Sequence, residues 1–383
     1  MFPSTPITQI SDLEALHRRR VPRMFYDYAA SGSWSESTLH ANTAAFERLQ
    51  FTQRVAVNLE QRTIASQMLG DSWAMPVALA PVGLTGMQHA DGEILAARAA
   101  EQANVPYCLS TMSICSIEDV AAATSKPFWF QLYVMRDREF VKALIDRARD
   151  AGCSALVLTL DLQILGQRHQ DIKNGLSTPP KPTLKNLLNI ATKPRWAWHM
   201  LQTRRRGFGN IEGHVKGVDD LSALSSWTAQ QFDPALSWDD VAWIRDYWGG
   251  KLVLKGIMDP RDAALAAAAQ ADAIVVSNHG GRQLDGAPAT MDALPGIIEA
   301  VNGRCEVWLD GGIRSGQDVL KALALGADAT MVGRAYIHGL GAMGQEGVST
   351  ALKIIAKELD LSMAFCGVTD IKNVDAQVLW NHT

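Results

Sequence analysis

The sequence predicts an α/β fold: a (β/α)8 TIM barrel with an N-terminal helical extension and a long insertion after the fourth strand. Three observations predict it. Eight short β-branched or aromatic runs recur, at residues 77–81, 106–110, 128–133, 155–161, 252–256, 273–279, 306–311 and 329–334. None alternates apolar with polar residues, so each reads as a strand buried on both faces. Helical patterns lie between them, at 92–104, 138–152, 260–270 and 315–326. The runs end at 81, 110, 133, 161, 256, 279, 311 and 334, so six of the seven spacings fall between 23 and 32 residues. That is one strand-plus-helix unit of an eightfold barrel of about 250 residues. The seventh spacing, 95 residues, holds the insertion. A doubly wound open sheet is the alternative. No GxGxxG follows the first strand and no GxxxxGK[ST] occurs anywhere, which weakens it.

The 383 residues read as a single domain, 1–383, with the barrel at about 75–340 and the insertion at about 170–235. The first ~75 and last ~45 residues are expected to be helical decorations. Pro179, Pro180, Gly207 and Gly209 give the insertion the look of loop. Its candidate amphipathic helix, 185–200, is interrupted by Pro194. With 47% hydrophobic and 20% charged residues, the chain is neither disordered, collagen-like nor a small disulfide scaffold. No apolar run reaches the ~18 residues of a membrane span, and the first twenty residues have no signal-peptide core. Five cysteines, at 108, 115, 153, 305 and 366, form no CxxC and no metal-ligand spacing. Free thiols in a reducing compartment follow, so a cytoplasmic location and no metal are expected.

The net charge of −4 is unevenly spread. Residues 173–206 hold eight Lys/Arg and no Asp/Glu, leaving −12 on the remainder. With Trp196 and Trp198, this stretch suits peripheral docking on the anionic inner face of the cell membrane. A solvated lid over the barrel mouth is the bland reading. The acidic remainder argues against nucleic acid as the partner.

A barrel builds its active site at the C-terminal ends of its strands. The residues standing there are Pro81, Val82 and Gly83; Ser110; Gln131 and Tyr133; Thr159 and Asp161, with Arg168 shortly after; Lys255; Ser277, His279 and Arg282; Asp310 to Arg314; and Gly333 with Arg334. Singly, most have ordinary roles as turn formers or caps. Lys255 is different, because it ends an apolar strand and a buried Lys needs an anionic or electron-rich partner. Gly311, Gly312 and Gly333 let backbone N–H groups approach a phosphate, with Arg314 or Arg334 adding charge. Without a nicotinamide fingerprint, a phosphate beside a buried Lys suggests FMN, whose polar edge Gln131, Thr159 and Ser110 would bond. Arg168 and Arg282 suit a carboxylate, and Tyr28 and Tyr133 a nearby oxygen. His279 alone titrates near neutrality there, which makes it the candidate base, with Asp161 orienting it. His89, His169 and His214 read as structural or surface residues.

The segment SNHGGRQLDG at 277–286 resembles the active-site signature of the FMN-dependent 2-hydroxy-acid dehydrogenases and oxidases. The resemblance extends through FYDYAASG (25–32), LAPVG (79–83), FQLYV (130–134), LTLD (158–161), LKG (254–256), LDGGIRSG (309–316) and VGRA (332–335). LSTMSICSIEDV (109–120), RWAW (195–198) and FDPALSWDDVAWIRDYW (232–248) are similar to the bacterial quinone-linked L-lactate dehydrogenases. The resemblance implies oxidation of an L-2-hydroxy acid, L-lactate to pyruvate, with electrons passed through FMN to a quinone. An oxygen-using oxidase or a mandelate-type dehydrogenase is the alternative, and a non-catalytic metabolite-binding barrel the reading from a different class.

The same resemblance assigns roles. Pro81, Val82, Gly83, Ser110, Gln131, Thr159, Lys255 and Ser277 would bind the flavin ring or ribityl chain. Asp310, Gly311, Gly312, Ile313, Arg314, Gly333 and Arg334 would hold the ribityl and phosphate end. Tyr28, Arg168 and Arg282 would hold the substrate carboxylate and Tyr133 its hydroxyl oxygen. His279 would be the base, backed by Asp161, and Lys255 would steady the reduced flavin. A homo-oligomer, a tetramer, is implied too. Met112 stands where glycolate oxidase has tryptophan, implying a pocket for more than glycolate. Gly83 stands where the oxidases tend to have alanine, which leans towards a dehydrogenase.

Overall fold

The computed structural model describes residues 6–176, 183–212 and 230–380. Eight parallel strands form its centre: β1 (Val77–Leu79), β2 (Cys108–Ser110), β3 (Trp129–Tyr133), β4 (Ala155–Thr159), β5 (Lys251–Ile257), β6 (Ala273–Val276), β7 (Glu306–Asp310) and β8 (Ala329–Val332). They pair in the order β1-β8-β7-β6-β5-β4-β3-β2. A parallel bridge between Leu79 and Tyr107 joins the two ends, so the eight strands form a (β/α)8 barrel. The strands fall where the sequence places them. Five expected runs end one to three residues late, because their last residues belong to the loops that build the mouth; two end where the strand does, and that of β5 stops one residue short of Ile257.

The pleat explains why the strands lack polar alternation. Val77, Leu79, Leu109, Phe130, Leu132, Leu156, Leu158, Leu252, Leu254, Ile274 and Leu309 face outward and pack under the helices. Ala78, Cys108, Trp129, Ala155, Val157, Val253, Val275, Trp308 and Met331 face inward and fill the lumen. Trp129 and Trp308 stack there, their rings 5.2 Å apart and 15° from parallel. Continuing the same inward rows towards the C-terminal ends gives Ser110, Gln131, Thr159, Lys255, Ser277 and Asp310, all buried.

The first 75 residues hold one element that the sequence reading lacks. Strands Ser66–Met68 and Asp71–Trp73 form an antiparallel hairpin at the N-terminal end of the barrel. Met68 and Leu69 join the lumen cluster, and the Leu69 N–H donates to Glu306 Oε1 at 2.9 Å. Three-residue strands are too short to show a period.

Residues 10–47 hold three helices that cross the opposite end, while residues 48–65 carry no helix, unlike the expected helical decoration. Helix Arg23–Ala30 carries Tyr28 to the mouth. Helix Ser37–Glu47 is fixed by Asp285, which accepts from the Ser35 and Thr38 N–H groups at 2.9 Å. Asn42 and Asn278 exchange two hydrogen bonds of 2.8 Å. Gly312 lies against this helix with φ +87°, and a Cβ there would stand 2.3 Å from the Asn42 carbonyl oxygen. Gly312 therefore answers to packing as well as to any ligand.

In the insertion, Pro194 does not kink one long helix but opens a second. Helices Leu184–Ala191 and Pro194–Gln202 follow one another, with proline at the first turn, where its missing N–H costs nothing. Trp196 donates to the Met87 carbonyl at 2.9 Å and stacks on Phe25. Arg205 pairs with Asp91 at 3.0 Å and Asp119 at 2.8 Å. Pro179, Pro180 and His214 lie outside the described residues.

Candidate active site

A cavity of about 780 Å³ opens at the C-terminal ends of the strands. Its lining includes Tyr28, Pro81, Val82, Gly83, Tyr133, Arg168, Lys255, His279, Arg282, Asp310 to Arg314, Gly333 and Arg334. Ser110, Gln131, Thr159 and Ser277 are buried in the barrel wall.

Lys255 is the charged centre of the floor. Its Nζ lies 2.7 Å from Asp310 Oδ2 and donates to Ser277 Oγ at 2.8 Å. Ser277 Oγ in turn donates to Asp310 Oδ2 at 3.0 Å and accepts from the His279 N–H at 3.1 Å. The partner that a buried Lys requires is thus Asp310, within the chain. Burial opposes the ammonium charge, but Asp310 and Asp161 outweigh it and hold the pKa above the usual lysine value. Lys255 stays charged. Beside it, Gln131 Nε2 and Thr159 Oγ1 are buried without a hydrogen-bond partner. Unmade hydrogen bonds in a closed wall cost free energy unless a ligand completes them. A donor, a hydroxyl and a cation in one wall fit the polar edge of an isoalloxazine ring.

His279 stands two residues after Ser277 in the left-handed region, φ +58°. Its Nδ1 lies 2.9 Å from Asp161 Oδ1, so the carboxylate fixes the tautomer with the proton on Nδ1. Among the described residues Nε2 has no hydrogen-bond partner, and the ring lines the cavity. Burial lowers the imidazole pKa below its ordinary value against the opposing pull of Asp161. Burial raises the Asp161 carboxyl, but His279 and Lys255 reverse that and bring it below the usual carboxylate range. Gly256 makes room for this pair. It has φ +104°, it sits at a register break of β5, and a Cβ there would meet Asp161 Cγ at 2.7 Å.

Two arginines of the lining, Arg168 and Arg282, flank Tyr28. The Arg282 guanidinium carbon lies 4.6 Å from the Tyr28 ring centre, and that of Arg168 5.9 Å. Arg282 also donates to the Tyr28 and Ser31 carbonyls. Arg168 Nε is buried and without a partner. Burial, with Arg168 next to it, depresses the Arg282 pKa. The Tyr133 ring packs edge-on against Phe232, and burial pushes its hydroxyl pKa well up, so it remains a neutral donor.

The other two arginines of the lining, Arg314 and Arg334, are engaged with neutral groups. Arg334 donates to the Ala29, Gly280 and Ser31 carbonyls at 2.8–2.9 Å. Arg314 donates to the Ile313 carbonyl at 2.8 Å. Burial lowers both pKa values, and for Arg334 the neighbouring Arg314 and Arg282 add to this. Buried guanidinium groups that repel one another call for an anion. Gly333 caps helix Arg334–Met343, whose N-terminus faces the cavity, so the residues present fit a phosphate. Arg334 has a second task that the sequence hides: it ties the N-terminal segment to the loop after β6.

Several lining residues escape sequence reasoning. Leu162, Phe208, Phe232 and Asp171 come from the insertion or its flanks, where no period marks them. Gln283 does carry a signal, since it lies inside the 277–286 segment. Its amide donates to the Asp161 and Ile164 carbonyls at 2.9 Å and so fixes the partner of His279. His89 is engaged by His199, whose Nδ1 lies 3.3 Å from His89 Nε2.

The chain is similar to known proteins along almost its whole length. A sequence model of the FMN-dependent dehydrogenase family matches residues 17–381. The L-lactate dehydrogenase of Ectopseudomonas mendocina is 42% identical over 374 residues, 97% of this chain and 98% of that protein. That of Pseudomonas syringae pv. syringae is 44% identical over the same share of each. Among solved structures, a monotopic membrane (S)-mandelate dehydrogenase superimposes with TM-score 0.94 at 33% identity, covering 99% of this chain and 100% of the other. A mandelate oxidase follows at TM-score 0.82 and 38% identity, covering 98% of each. With a barrel whose mouth gathers a His–Asp pair, a buried lysine and four arginines, the chain belongs to the FMN-dependent dehydrogenases.

Proposed function

We propose that the chain oxidises a small L-2-hydroxy acid, L-lactate to pyruvate, and passes the electrons to a quinone-type acceptor. The observation that carries this reading is the His279–Asp161 pair facing the same cavity as Arg168 and Arg282. The arginines hold the substrate carboxylate, and Tyr28 and Tyr133 orient its oxygens. Oxidising the alcohol to the ketone removes two electrons and two protons. His279 Nε2 takes one proton, and Asp161 stabilises the imidazolium that results. Bound FMN would supply the acceptor for the two electrons and the second proton. Lys255, kept charged by Asp310, steadies the negative charge that reduction brings. Pro81, Val82, Gly83, Ser110, Gln131, Thr159 and Ser277 hold the ring and ribityl chain. Gly311, Gly312, Arg314, Gly333 and Arg334 hold the phosphate end.

A mandelate-type substrate is the second reading. It is favoured by the apolar lining from Met112, Leu162, Phe208 and Phe232. An anaerobic screen separates the two. L-lactate is expected to bleach the flavin faster than (S)-mandelate or glycolate. The reduced enzyme is expected to be reoxidised faster by a soluble quinone than by air. No bleaching by any of the three acids overturns the reading.

The insertion is proposed to dock peripherally on an anionic membrane, while the chain acts as one catalytic domain in a homotetramer. Leu184, Leu187, Leu188, Trp198 and Leu201 are exposed, at helical spacing, among the exposed Lys185, Arg195 and Arg204. Apolar side chains ringed by cations suit a lipid interface better than a solvated lid. Arg205 is not part of that face, since its ion pairs tether the insertion to the barrel. No described helix is long and apolar enough to cross a membrane. Replacing Leu187 and Leu188 with Ser should release the protein from anionic vesicles and leave turnover with a soluble dye unchanged. Light scattering measures the tetramer.

A further inference from the structure

One buried carboxylate at the substrate end has no part in the chemistry above. Asp171, on helix His169–Lys173, lines the cavity and is 8% exposed. Its Oδ2 lies 3.6 Å from Arg168 Nη1, beyond hydrogen-bond distance. Its Oδ1 is buried without any hydrogen-bond partner, as is Arg168 Nε. Two groups able to bond one another directly therefore stand close and leave polar atoms unused. A structural ion pair closes such gaps; this one leaves hydrogen-bonding capacity unused in the wall of the cavity that both residues line.

We infer that Asp171 sets the charge of the substrate site so that it matches a monocarboxylate and rejects a dicarboxylate. The inference rests on the proposed role of Arg168 and Arg282 in holding the substrate carboxylate. Among the charged side chains that line this end of the cavity, two guanidinium groups and one carboxylate leave one positive charge in excess. A 2-hydroxy monoacid neutralises that excess. A dianion overshoots it and meets Asp171 in a wall that gives little screening. Burial raises the Asp171 pKa, Arg282 and then Arg168 pull it back, and Asp27 adds to the rise. The net effect is a raised pKa; the selection depends on the charged form, which the two arginines support against burial and Asp27, and it is lost as the pH falls through the raised value. Asp171 acts on the substrate through the field at Arg168, so it is a specificity-determining residue and not a catalytic one.

The test compares anions of different charge on the FMN-loaded enzyme. Dissociation constants for glyoxylate and oxalate are read from the perturbation of the flavin spectrum, in wild type, Asp171→Asn and Asp171→Glu. Coulomb repulsion scales with ligand charge, so the gain for the dianion is about the square of that for the monoanion: about tenfold for oxalate against about threefold for glyoxylate. Asp171→Glu keeps the charge and should keep the wild-type ratio. An equal gain for both ligands, no gain, or a loss for both in Asp171→Asn overturns the inference. Flavin absorbance and the melting temperature of each variant show whether it is folded and loaded. Wild-type flavin that no hydroxy acid bleaches condemns the proposed function. Bleaching with an unchanged oxalate-to-glyoxylate ratio in Asp171→Asn condemns only the role of Asp171.

Discussion

The two ends of the barrel are built by the same strands and do opposite things. At the N-terminal end the lumen is closed by stacked Trp129 and Trp308 and by the hairpin residues Met68 and Leu69. One inward step further along the same strands stand Gln131 and Asp310, two residues on from those tryptophans. One end is filled with apolar volume. The other holds a buried ion pair, unpartnered polar atoms and a histidine in the left-handed region. A two-residue step along a strand thus separates stability from chemistry.

Substitutions at each end should therefore separate turnover from stability. The largest effect is expected at the mouth. His279→Gln should keep FMN bound and lower the rate of flavin reduction by several powers of ten, since general base catalysis alone is worth about 10²–10⁴ and the same ring positions substrate. Near-normal reduction would show that another group is the base. Because burial depresses the His279 pKa, the wild-type enzyme should keep its free base, and its kcat/KM, to pH values below the ordinary histidine range. Activity should then fall as the pH drops through the lowered value.

At the closed end, Trp308→Ala should cost about 3–5 kcal/mol of stability through the cavity it leaves. Denaturant unfolding measures this, and the flavin-reduction rate of the folded fraction should stay near wild type. A rate loss as large as that of His279→Gln would break the contrast between the ends.

A third region should govern how stability depends on pH. His17 is buried against His338, with Nδ1 atoms 3.1 Å apart, and its Nε2 lies 2.8 Å from Gln88 Oε1. Burial, the main cause, lowers the His17 pKa to about 4. The folded state then binds fewer protons than the unfolded state, so stability is full above pH ~6.5 and is lost as the pH falls towards 4. At about 1.4 kcal/mol per unit the loss amounts to about 3 kcal/mol. Unfolding free energies at pH 7 and pH 4.5 check it, and His17→Gln should reduce the difference, leaving the part that buried His338 contributes.

The smallest effect is on recognition. Arg282→Met should weaken L-lactate and oxalate together by about 1.5–3 kcal/mol, the worth of a charged hydrogen-bond partner. Unchanged oxalate affinity would leave Arg282 as only the clasp on the Tyr28 and Ser31 carbonyls.

The barrel was legible in the sequence because its signal is local. Strands buried on both faces must be continuously apolar, and each repeats after one helix. The polar residues that close those strands had to lie at one end of a barrel, so Lys255, His279, Asp161 and Arg282 could be read from the chain. What only the tertiary structure decided depends on contacts between distant segments. Asp310 pairs with Lys255 from two strands away, Arg334 clamps the N-terminal segment, Asp171 enters the cavity from the insertion, and Glu306 receives the hairpin plug. A charge in a sequence does not state its partner. The fold supplies the partner, and burial there makes the pairing matter.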